Sequence, residues 1–115
     1  MKDIKPSIIP NEQLLERSLA KLIKDNTGKG PKHTEVKMAE GIIVCYFDGY
    51  LNRAEELIIK SGHPEKIIEF RSRYVTQCIS EIETILVAIV KKKIKYFFPS
   101  WIPESDLACW TIFLD

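Results

Sequence analysis

No stretch of this 115-residue chain is long and apolar enough to span a bilayer. The longest unbroken apolar runs, Ile42 to Phe47 and Ile85 to Val90, fall far short of the roughly 20 residues required. An excess of charge of either sign is also missing. Lys and Arg number 17 against 16 Asp and Glu, a formal charge of +1, so no global field recruits nucleic acid or an acidic membrane. Cysteine is scarce and odd in number: Cys45, Cys78 and Cys109 each sit in an apolar segment, which excludes a disulfide framework and favours a reducing compartment. With no Cys-x-x-Cys and no His-x-x-x-His, the cysteines could join His33 and His63 in a metal site only if the fold gathered them, so no metal and no cofactor are expected. No acid, base and nucleophile set is visible, and no catalytic residue is assigned. No signal-peptide pattern opens the sequence, and the expected location is cytoplasmic.

What is present reads as one domain over residues 1–115, with an N-terminal arm over 1–10 and an α+β core over 11–115. A chain of this length can bury about two thirds of its extended surface without staples. Pro6 and Pro10 hold the arm extended, and Ile4, Ile8 and Ile9 give it something to dock. Asn11 is a good N-cap for a helix over about Glu12 to Asn26, with Leu14, Leu15, Leu19, Leu22 and Ile23 at helical spacing. Gly28, Gly30 and Pro31 stop it. From His33 the period changes to two, giving a hairpin of Val36 and Met38 against Ile42 to Phe47. Asn52 with Glu55 three residues later is a capping box opening a short helix through Lys60.

Pro64 to Val90 then reads as one long helix. Its apolar side carries Ile67, Tyr74, Val75, Cys78, Ile79, Ile82, Ile85, Leu86 and Ile89. Ile94, Tyr96 and Phe98 alternate in a third strand, Leu107 to Leu114 is a fourth, and Pro99 to Asp106 is the loop between them. The expectation is a two-layer α+β sandwich in the order α-β-β-α-α-β-β, its four-stranded, mainly antiparallel sheet packed by the long helix. Strand two is apolar on both sides, and Phe97, Trp110, Ile112 and Phe113 face both ways, yet three helices cover only one sheet face completely. Association through a sheet face or edge, as a homodimer, is therefore expected.

Three groups of residues carry candidate chemistry. Gly28, Lys29, Gly30 and Lys32 could form an anion loop, but they follow a helix instead of opening one, and a helix stop is the plainer reading. Lys91, Lys92, Lys93 and Lys95 beside Tyr96, Phe97, Phe98 and Trp101 interleave basic and aromatic groups as single-stranded nucleic-acid binders do. A helix end meeting its dipole, followed by a strand with outward lysines, explains the same residues, and nucleic acid is not an expected partner. Arg71 lies in the middle of the apolar stripe. Buried, its five donors need a carboxylate, for which Glu55 on the neighbouring short helix is first choice and Asp48 second. Alternatively its stem covers apolar surface and its head reaches solvent.

In order and spacing, Gly28-Lys29-Gly30-Pro31-Lys32, then Asp48-Gly49-Tyr50-Leu51, then Ala54-Glu55, then Arg71 resemble the MpsC-like family, a small bacterial domain of unknown function. The family is named for a Na+-translocating, membrane-potential-generating system. The resemblance runs from about Leu14 to Leu114, and the sequence departs from it at Pro99-Ser100-Trp101-Ile102-Pro103, where a more polar loop is usual. It implies a non-catalytic accessory protein with a membrane transport-system subunit as partner, peripheral to the membrane through that partner. The alternative is a small-ligand or nucleic-acid binding module using the Gly28 to Lys32 loop and the Lys91 to Lys95 cluster.

Overall fold

The computed structural model describes residues 10–115, so the arm expected over 1–10 lies, apart from Pro10, outside the described residues. The chain runs α1 (Asn11–Thr27), β1 (His33–Ala39), β2 (Ile42–Asp48), α2 (Arg53–Lys60), α3 (Pro64–Gln77), α4 (Ile79–Val90), β3 (Ile94–Ile102), a 3-10 turn (Pro103–Ser105) and β4 (Leu107–Leu114). The four strands lie in the order β1-β2-β4-β3, every pair antiparallel. The three helices between β2 and β3 carry the chain to the far edge, and β4 then returns into the gap beside β2.

Local chemistry explains most of these boundaries. Gly28 closes α1 in the left-handed conformation (φ 83°), its N–H donating to Lys24 O. Asn52 and Glu55 form the capping box in full, each side chain accepting from the other's backbone N–H. The N-cap position of α1 falls on Pro10 where Asn11 was expected, and Leu14 N donates to the Pro10 carbonyl.

Strand residues alternate between two sides. Val36, Ile43, Cys45, Phe47, Ala108, Trp110 and Ile112 are buried against Leu15, Leu19 and Leu22 of α1, Ile67 and Val75 of α3, and Ile82 and Leu86 of α4. The helices therefore cover one face, giving two layers.

Two expectations need correction. The long helix over Pro64 to Val90 is divided at Cys78 (φ -97°, ψ 4°), whose N–H is shared between the carbonyls of Tyr74 and Val75. The buried stripe Ile67, Arg71, Val75, Cys78, Ile82, Leu86 continues through the break at spacings of three and four, so α4 keeps the register of α3. No Pro or Gly marks it. Half of the loop expected over Pro99 to Asp106 is strand. β3 continues through Pro99 to Ile102, because an edge strand tolerates a residue without an N–H, and only Pro103 to Asp106 turn.

Candidate functional site

Arg71 lies at the centre of the covered layer, 1% exposed, and Glu55 beside it is 5% exposed. Arg71 Nε donates to Glu55 Oε2 at 2.7 Å and Nη2 to Glu55 Oε1 at 2.6 Å, a bidentate pair, while Nη2 also donates to the Tyr50 carbonyl at 3.1 Å. Glu55 Oε1 accepts the Asn52 N–H as well (2.9 Å), so one carboxylate caps α2 and anchors it to α3. The guanidinium also stands 5.0 Å from the centre of the Tyr50 ring. Arg71 thus clamps three pieces of chain together: the turn after β2, the start of α2, and α3.

Asp48 is not part of this cluster. Its carboxylate pairs with His33 Nδ1 at 2.8 Å across the end of the β1–β2 ladder, on the surface. The carboxylate that orders the turn is Asp106, which the sequence reasoning passed over. Its Oδ1 accepts from Tyr50 N (2.9 Å) and Leu51 N (3.0 Å), and its carbonyl accepts from Gly49 N (3.0 Å). Asp106 has a positive φ of 55°, which aspartate tolerates better than most residues. The available signal was an aspartate in a short turn just before a strand.

The Gly28 to Lys32 segment connects α1 to β1 beneath that turn. Lys29 Nζ donates to the Gly49 carbonyl, and the amides of Gly28 and Lys32 are taken up by Lys24 O and Asp48 O. Gly49 (φ 66°) is pressed against Lys32, whose side-chain carbons would lie within 2.6 Å of an added Cβ. Of the lysine cluster, Lys91 ends α4 in the left-handed conformation and its Nζ donates to Ala88 O at 2.8 Å. Lys95 sits at a bulge with its ammonium 5.7 Å from the Tyr96 ring centre. Trp101 does not join the lysines. It lies at the opposite end of β3, facing the core, 5.7 Å from Tyr50 and 6.4 Å from Trp110 between ring centres.

The remaining feature is the sheet face away from the helices. Tyr96 (55%), Phe98 (56%) and Ile102 (54%) of β3 are exposed there, beside Phe113 of β4 and the exposed Tyr46 of β2. The outward row of donors is interrupted on both sheet edges. On β1, Val36 N and Met38 N donate to Glu16 and Glu12 of α1 at 2.9 and 2.8 Å. On β3, Ile94 N donates to Glu83 (2.9 Å) and Pro99 has no N–H. Glu12 and Glu16 thus cover the β1 edge, and Glu12 also serves the helix dipole.

Burial, ahead of the nearby Cys109 and Glu16, pushes the Cys45 thiol up to about 12. Burial also raises the hydroxyls of Tyr50 and Tyr74, with Arg71 opposing in both cases. These groups lose protons more readily in the unfolded chain, so the stabilising contribution of Cys45 is full below the ordinary thiol value of 9.0 and is lost as pH climbs towards about 12, and that of the tyrosines falls from about 10.0 upwards. Melting temperatures should hold level up to about pH 9 and then fall, with Cys45→Ala softening the first part of the fall. A level profile to about pH 11 would contradict this.

Among the described residues no three His, Cys, Asp or Glu side chains gather as a metal site, and no helix is long and apolar enough to cross a membrane. Comparison with curated proteins and with solved structures returned no match. The model of one family, described as the Na+-translocating membrane potential-generating system (MpsC), matches residues 11–115. With nearly the whole of the described fold inside that match, the chain belongs to the MpsC family.

Proposed function

We propose that this protein is a non-catalytic accessory of a Na+-translocating, membrane-potential-generating system, working in the cytoplasm as a homodimer joined through its open sheet face. The observation that carries the reading is the row of exposed aromatic and aliphatic side chains on β3, continued by Phe113 and Tyr46. Four strands about 4.8 Å apart and about 24 Å long make a footprint of roughly 450 Å², and side-chain relief brings the accessible area towards the about 800 Å² per partner of a standard interface. The interrupted edges favour the face over strand addition. Glu35 and Lys37 stand side by side on β1, Nζ to Oε2 3.5 Å, so this rim of the face presents both signs of charge and does not repel a second copy. The Gly28 to Lys32 loop and the lysine cluster lack comparable support as ligand sites, because Lys29 and Lys91 already bind backbone carbonyls.

Light scattering at micromolar concentration should give twice the 13.3 kDa chain mass. Phe98→Glu, which places a charge in the middle of the exposed row on β3, should weaken the dimer by roughly 100-fold or more while leaving the fold intact. A clean monomer, or a dimer indifferent to Phe98→Glu, would overturn the interface. The wider assignment is tested separately: the tagged chain should co-purify from solubilised membranes with a subunit of the transport system, and failure to do so would count against it.

A further inference from the structure

Four buried polar atoms among the described residues have no protein hydrogen-bond partner: the hydroxyls of Tyr50 and Tyr74 and the indole nitrogens of Trp101 and Trp110. All four residues line one small cavity beside Arg71, of about 10 Å³. Four such atoms scattered through the core would be four separate costs, whereas their four residues share the lining of one space, which suggests a common partner. The volume is near the lower limit for holding one water, roughly 10 Å³, and too small for a larger ligand. The chemistry also selects the occupant. Indole N–H groups can only donate, whereas tyrosine hydroxyls both donate and accept, so the guest must accept from two indoles and should be able to donate to a phenol oxygen. Water does both. An anion does not fit as well, because Glu55 already neutralises Arg71, and Asp106, Glu55 and Glu104 all act on Tyr50 with negative charge.

We propose that this cavity binds a single ordered water molecule, held by the indoles of Trp101 and Trp110 and the hydroxyl of Tyr50, which joins the Arg71 clamp to the β3–β4 pair. Tyr74 is the lesser ligand, since the Cys78 thiol one turn along its helix offers its hydroxyl a weak alternative partner. The bridge adds a second tie to the one that Asp106, in the turn between β3 and β4, makes to the amides of Tyr50 and Leu51. Arg71 reaches α2 and the Tyr50 turn but makes no hydrogen bond to β3 or β4 among the described residues, whereas Trp101 and Trp110 belong to those two strands.

The chain has two tryptophans, so each indole proton can be assigned in the nitrogen-correlated proton spectrum of the full-length protein. In wild type both indole protons should show cross-relaxation to a long-lived water. In Tyr50→Phe, which keeps the ring under Arg71 and deletes only the hydroxyl, both signals should weaken together. Should that variant not fold, Trp101→Phe takes its place, with loss of the water signal at Trp110 as the readout. Water contact at one indole or neither, contact unchanged in the variant, or indole shifts that follow added bromide and so reveal an anion, would each overturn the proposal.

Discussion

Arg71→Ala should lower stability by about 3 to 5 kcal/mol, the usual cost of leaving one half of a buried ion pair without its partner. For a chain of this size that corresponds to a fall in melting temperature of more than about 10 °C. Both side chains are almost fully buried, so solvent screening does not soften the loss. The substitution would also leave the Tyr50 carbonyl and both Glu55 oxygens short of the donors that now reach them from α3. Arg71→Lys should recover little, because an ammonium cannot reproduce the two-pronged contact at 2.6 and 2.7 Å.

A double variant separates charge from packing. Glu55→Gln alone strands the guanidinium and should be severe. Combined with Arg71→Met, it removes both charges, fills the space and keeps a capping-box residue at the third position of α2, so the double variant should be milder than Arg71→Ala. Urea denaturation of the set decides. Arg71→Ala within about 2 °C of wild type would mean that the clamp does not hold the centre of the molecule.

Asp106→Ala should cost roughly 3 kcal/mol, from the loss of two backbone hydrogen bonds to a carboxylate and the strain of alanine at positive φ. The two amides it leaves, Tyr50 N and Leu51 N, belong to residues that are themselves buried, so water cannot readily replace the carboxylate. Asp106→Asn keeps an acceptor of the same shape and tolerates the left-handed backbone, so it should lose less than half as much. Because the same turn supplies the Tyr50 carbonyl to Arg71, Asp106→Ala combined with Arg71→Ala should fall short of the sum of the two losses. Chemical denaturation measures all three. An alanine variant within about 0.5 kcal/mol of wild type would show that the turn holds its shape without Asp106.

The two residues differ in how far they could be read beforehand. Arg71 breaks an apolar stripe, and a break in a strong periodicity is visible in one dimension. Glu55, one helix earlier, was its natural partner because short consecutive helices fold back on each other. Asp106 breaks nothing. Its partners lie 55 and 56 residues away, and no local pattern ties an aspartate in a tight turn to amides at the end of another strand. Glu12 and Glu16 conceal their part for the opposite reason. Acidic residues early in a helix already have a sufficient local explanation, which hides their second task on the β1 edge. The division of the long helix at Cys78 left no trace in composition either, since the stripe of buried residues runs through it unbroken.

The sequence by itself determined the element order, the capping of α2, the stop after α1, the alternating strands and the family, because all of these follow from residues close together in the chain. The tertiary structure decided which surface is left bare. Strands β2, β3 and β4 offered apolar groups on both sides, and only the placement of α1, α3 and α4 made Ile43, Phe47, Trp110 and Ile112 core while Tyr46, Tyr96 and Phe98 stayed exposed. It also decided that four residues with unpartnered polar atoms, from four separate segments, would line one cavity. The physical reason is the same in both cases: a residue's own neighbours set its local geometry, whereas its burial and its partners depend on distant segments that meet only when the layers pack.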